Sequence, residues 1–89
     1  MNADNDSLLE FPCLFPIKIM GLEQDNFAHS VLQIVLRHAS DFDEASMEKR
    51  SSRTGKYVGL TCTINAVSRV QLDSLYQELA THPLVKLVL

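Results

Sequence analysis

The chain lacks any apolar run near the roughly 20 residues that a membrane-spanning helix needs. Its 89 residues leave no room for a second core. It also lacks a basic excess: 8 basic against 11 acidic side chains give a net charge of −3. General nucleic-acid binders draw non-specific affinity from neutralised phosphates, so neither nucleic acid nor a membrane is expected as a partner. Two cysteines cannot build a disulfide framework. The opening Met1-Asn2-Ala3-Asp4-Asn5-Asp6 is polar and acidic, the opposite of the basic start of a secretory signal. A cytoplasmic protein with reduced thiols is expected.

Chemistry-bearing constellations are equally scarce. His29, His38 and His82 and the cysteines Cys13 and Cys62 show no paired ligand spacing. His29 and His38 fall on opposite sides of a helix that advances about 100° per residue, so they cannot chelate together. No metal and no cofactor is expected. No glycine elbow surrounds the serines, and Cys13 has no neighbouring histidine. No catalytic residue is nominated, and the chain is read as a non-enzyme.

What is present is a pattern of elements. Tyr57 to Ala66 alternates polar and apolar at period two, the mark of a half-buried strand. Ser68 stands three residues before Gln71, a capping-box pair, and Leu72, Leu75, Tyr76 and Leu79 follow at helical spacing. Val85 to Leu89 closes as a strand. A weaker copy precedes it: strand Phe15–Met20, helix Asn26–Ala39 and a strand over Ala45–Arg50. Asp25 or Asn26 is the expected helix cap. The stripe Phe27, Val31, Ile34, Val35 and His38 is the expected core face of that helix. The order βαββαβ predicts a two-layer α/β (α+β) sandwich of the ferredoxin-like type: a four-stranded antiparallel sheet, first and third strands central, two helices on one face.

Residues 1–7 read as a flexible tail and 8–89 as a single domain, with the apolar arm Leu8, Leu9, Phe11 and Leu14 docked on something. The expected core is Ile17, Ile19, Phe27, Val31, Ile34, Leu60, Ile64, Leu72, Leu75, Leu79 and Leu87, with Cys62 a small buried hydrophobe.

Two features could bind. The hairpin between the second and third strands carries Arg50, Arg53 and Lys56, a candidate anion or partner loop. As a mobile loop with Asp41, Asp43, Glu44 and Glu48 competing nearby, it is expected to hold an anion only weakly. Gly21 ends the first strand in a turn that needs a positive φ, or that lets a ligand approach the backbone and the following helix N-terminus. On the open sheet face, Tyr57 alone makes no base-stacking platform beside Lys18, Met20, Gly59, Thr61, Thr63 and Asn65.

Leu9-Glu10-Phe11-Pro12, Phe15-Pro16, Met20-Gly21 and Ser52-Arg53-Thr54-Gly55-Lys56-Tyr57 resemble the YbeD-like family of small bacterial proteins of unknown function. Ile64-Asn65-Ala66, Leu75-Tyr76-Gln77-Glu78-Leu79 and Val85-Lys86-Leu87-Val88-Leu89 extend the resemblance to the C-terminus. It implies a fold similar to the small-molecule-sensing ACT domains, which associate side by side. Those domains bind an amino acid near the glycine turn, and the resemblance puts that region at Met20, Gly21, Leu22 and Asn26. The leading expectation is a non-enzymatic ACT-like regulatory or protein-interaction module acting through a protein partner or a homodimer. The alternative is a sensor of an amino acid or other small anion at that turn. A nucleic-acid binder using the basic hairpin ranks third, against the net charge.

Overall fold

The computed structural model describes residues 9–24 and 26–89. The expected tail, Leu8 and the Asp25 cap option lie outside them. Strand β1 spans Cys13–Leu22, helix α1 Phe27–His38, β2 Glu48–Ser51, β3 Tyr57–Ala66, helix α2 Arg69–Thr81 and β4 Val85–Val88. The strands form one antiparallel sheet in the order β2-β3-β1-β4, so β1 and β3 are central and the βαββαβ order stands.

Parity separates the two sheet faces. Ile17 pairs with Cys62 and Ile19 with Leu60, so their side chains share one face, and all four are fully buried. Both helices cover that face. Phe27, Val31, Leu32, Ile34 and Val35 come from α1, and Leu72, Leu75 and Leu79 from α2. Together with Val58, Ile64 and Ala66 they make one core. Leu9 and Phe11 of the N-terminal arm pack on it, while Leu14 stays 76% exposed. The arm therefore docks through only part of its apolar set.

Helix α2 starts as its sequence dictates. Ser68 accepts a hydrogen bond from the Gln71 N–H at 3.0 Å, and Gln71 Oε1 accepts from Val67 N–H at 2.7 Å. Gln71 Nε2 also donates to the His38 carbonyl at 2.8 Å, which fastens the end of α1 to the start of α2. Helix α1 starts differently. Asn26 is left-handed at φ 57 and makes no side-chain cap, while Phe27 N–H donates to Gln24 O at 3.0 Å. Asparagine tolerates this conformation, so here it turns the chain and leaves the cap unmade.

Four further expectations need correcting. Gly21 neither breaks the first strand nor adopts a positive φ: β1 continues through it to Leu22, and the one glycine in the left-handed region is Gly55 at φ 79. Gly21 is needed for close packing, because a methyl group there would overlap the Phe27 ring and the Leu84 carbonyl oxygen. Ala45 does not begin a strand. Asp43 accepts from the Ala45 N–H at 3.0 Å and winds Glu44–Ser46 into a 3₁₀ turn, so β2 starts at Glu48. Leu87 is not core. It pairs with Met20 on the open face and is 47% exposed. Finally, Asp41, Asp43 and Glu44 do not crowd the basic hairpin. Asp41 meets Asn65 at 3.5 Å, at the opposite end of β3.

Leu75→Ala should lower stability by about 2–5 kcal/mol, since Leu75 is fully enclosed. Gly21→Ala should lower it by about 3 kcal/mol through overlap with a ring and a backbone carbonyl. Leu87→Ser should change it by about 0.5 kcal/mol or less, as surface substitutions do. Urea unfolding of the three variants measures this order. A Leu87→Ser loss as large as that of Leu75→Ala would place Leu87 in the core.

Candidate functional site

The sheet face that no other described element covers carries the even-numbered residues of β1 and their partners on the other strands. Strand pairing arranges its side chains in rows across the sheet. Lys18 lies beside Thr61, and Thr61 beside Glu48; one row on, Leu87, Met20, Gly59 and Arg50 follow one another across all four strands. Such rows are about 7 Å apart and neighbouring strands about 4.8 Å. Leu22 and Tyr57 form the next row. Beyond the last β4 residue, Leu89 exchanges two backbone hydrogen bonds with Lys18, at 2.8 and 3.2 Å, and so continues the pairing. The Tyr76 hydroxyl donates to the Leu89 oxygen at 3.0 Å and pins this end to α2. Burial raises the Tyr76 pKa above its ordinary value.

A groove of about 560 Å³ runs over this face at β2 and β3, lined by Lys18, Met20, Glu48, Arg50, Ser52, Tyr57, Gly59 and Thr61 among others. Its depth comes from Gly59. A methyl group added there would meet nothing closer than the Arg50 carbonyl oxygen at 3.9 Å, so bare backbone forms the floor. Two cations rim it. Neither Lys18 nor Arg50 pairs with a carboxylate among the described residues, whereas Lys49 pairs with Glu23 at 3.1 Å.

The residues nominated from sequence are distributed as follows. Met20 and Leu22 belong to the open face, but Gly21 points to the helix side and lies buried under Phe27. Asn26 is exposed at the start of α1. These four therefore do not converge on one surface. Arg50 faces the groove from β2, while Arg53 and Lys56 stand in the hairpin beyond it. The hairpin is tied rather than loose: Ser52 N–H donates to Tyr57 O at 2.8 Å, and Tyr57 N–H to Ser52 Oγ at 3.0 Å. Lys56 Nζ sits 5.4 Å from the Tyr57 ring centroid, a cation–π arrangement. Glu23 N–H donates to Lys56 O at 2.9 Å, so the segment after β1 and the basic hairpin meet at one end of the sheet. Reading the sequence pattern overlooked Gly59 as the floor of a groove and Leu87 and Leu89 as its apolar flank. Period-two parity held the signal for Gly59, whereas the faces of Leu87 and Leu89 follow from the register of the β1–β4 pairing.

A second constellation joins the helices. Glu78 of α2 pairs with Arg37 and with His38 of α1, the latter through Nε2 at 2.7 Å. The Arg37 hydrogen bond, then that of His38, hold the Glu78 carboxyl below its ordinary pKa. Cys62 lies elsewhere in the core, and burial pushes its thiol up to about 11. Among the described residues no cluster of three or more His, Cys, Asp or Glu could hold a metal ion, and no helix is long and apolar enough to cross a membrane.

Residues 6–89 match the family model described as "Protein of unknown function (DUF493)". A UPF0250 protein of Nitrosomonas europaea is 60% identical over 84 residues, covering 94% of this chain and 97% of that one. A UPF0250 protein of Paraburkholderia phytofirmans is 47% identical over 100% of both chains. The solution structure of protein HP0495 from H. pylori superposes with a TM-score of 0.76, covering 100% of this chain and 94% of that one. At 14% identity it speaks for the fold alone.

The Glu78 bridge sets a pH dependence. Its carboxyl stays charged to lower pH in the folded chain than its ordinary value of 4.5. The bridge therefore adds stability above that value and loses it as pH falls through the lower folded value. Glu78→Gln should be less stable than the wild type at neutral pH, with the gap closing below about pH 4.5. Urea midpoints from pH 7 to pH 3 measure it, and a gap constant over that range would show that the charge of Glu78 contributes nothing.

Proposed function

The chain belongs to the DUF493 family of proteins of unknown function, and from that premise we propose that it works without catalysis, as a small ACT-like regulatory or protein-interaction module whose working surface is the open face of the sheet. The observation that supports this is the uncovered apolar set on that face. Leu87 is 47% and Leu89 59% exposed, with Met20 beside Leu87 and Leu14 further along β1. Soluble domains rarely leave such side chains adjacent unless something covers them, and the helices cover only the other face. The occupant on this reading is a protein, whether another polypeptide or a second copy of this chain. The cytoplasm is the proposed compartment, in keeping with two free cysteines.

A sensor of an amino acid or small anion at Met20, Gly21, Leu22 and Asn26 draws no support from the geometry. A ligand approaching the Gly21 Cα would have to displace the Phe27 ring.

Photo-crosslinking in the producing bacterium tests the proposal. A benzophenone side chain replacing Thr63, exposed on the open face, should yield a discrete protein adduct that Leu87→Glu abolishes. The same group replacing Gln77, exposed on α2, should yield none. A discrete adduct from position 77 alone, or from neither position, would overturn the assignment of the working surface.

A further inference from the structure

We propose that the open face takes an extended, acidic segment of a partner protein, its carboxylates held by Lys18 and Arg50 above the bare backbone of Gly59. This rests on the reading that the open face is the working surface, and it adds the chemistry of what binds there.

The argument begins with charge. The chain as a whole is acidic at −3, yet the rows of this face carry two cations without a carboxylate partner among the described residues. Glu48 is the one carboxylate on the strand positions of the face. Arg50 stands beside the Gly59 floor and Lys18 one row along, beside Thr61, and Gly59 itself puts no side chain between them. A carboxylate above Gly59 would take charge-assisted hydrogen bonds from both.

Shape then selects among acidic ligands. The groove is shallow and lies against the edge strand β2, whose four residues are all exposed. A small anion bound tightly would need most of its surface enclosed, which this face does not provide. An extended segment needs no enclosure. Its side chains at i, i+2 and i+4 face the sheet together, so carboxylates could meet Lys18 and Arg50 while apolar ones meet Met20 and Leu87. A second copy docked face to face would bring the same two cations onto both sides of the interface, with Glu48 as the only opposing charge from this face. RNA would find one tyrosine for stacking and two cations for its phosphates.

The probe is a phage-displayed library of random dodecapeptides, selected on the full chain. Chosen peptides are then synthesised, titrated by fluorescence anisotropy and mapped by amide chemical shifts. The selected peptides should carry net negative charge, and added salt should weaken them. Lys18→Ala with Arg50→Ala should lower their affinity at least about tenfold, because both charges are removed from the contact. Both positions are exposed, so circular dichroism of the double variant should match the wild type. Shifts should centre on Gly59 and Thr61.

Neutral or basic peptides, affinities indifferent to the double variant, or a selection without binders would overturn the proposal. Neutral peptides that still shift Met20, Thr61 and Thr63 would overturn the acidic chemistry alone and leave the open face as the working surface. Shifts confined to α1 and α2 would overturn both. Tighter binding of a single-stranded oligouridylate, or a concentration-dependent dimer that shields the Gly59 amide, would replace the acidic segment with RNA or a second copy.

Discussion

The Phe27 ring rests against Gly21 of β1 and the carbonyl of Leu84, and three parts of the chain meet in that contact. It places the first turn of α1 directly on the sheet at the end of β1. It also fixes the entry to β4, because Leu22 N–H donates to Leu84 O at 3.0 Å beside it. His82 approaches the same ring edge-on, with centroids 5.9 Å apart, and its Nδ1 accepts from the Leu84 N–H at 3.1 Å. The strand, the helix and the loop leading to the last strand are thus registered to one aromatic ring. Any side chain at position 21 would lift that ring, and with it the helix that closes the core.

That contact also explains where the sequence was legible. Periodicity specifies an element when one face is buried, and β3 is the cleanest case: alternate residues from Val58 to Ala66 are fully or almost fully buried, and its predicted limits coincide with the observed strand. Helix α2 was equally plain, because Ser68 and Gln71 spell its start locally. The missed features depend on distant partners. Gly21 looks like a turn in sequence because a glycine before polar residues usually is one, and only the later arrival of Phe27 and Leu84 shows it to be a packing position. Leu87 is one residue from Val88 and two from Val85, both half-buried against the core. A register shift in the β1–β4 pairing, between Met20 and Gly21, puts Leu87 on the other side. Local pattern cannot reveal such a shift.

The candidate site was legible in pieces. Arg50 belonged to a recognisable basic cluster, and Lys18, Met20, Gly59 and Thr61 were assigned to the open face by parity. Their convergence was not visible. It depends on the β2–β3 register, which sets Arg50 opposite Gly59 while Arg53 and Lys56 pass into the tied hairpin. A glycine in a strand reads locally as a weak point. Only the strands on either side make it a floor.

Period two on β2 then couples the stability of the fold to the character of the surface. Lys49 turns to the helix side and meets Glu23, which draws the segment after β1 against the edge of the sheet. Arg50, the next residue, turns to the open face and keeps its charge available. Charged edge residues also discourage unwanted strand pairing, and all four residues of this short edge strand are exposed. A slip of one residue in its pairing would exchange the two roles. Lys49 would join the open face, Arg50 would point toward the helices, and Glu23 would lose its partner. The hairpin closed between Ser52 and Tyr57 forbids that slip, and so the hydrogen bonds that end β2 also hold the groove's charge in place.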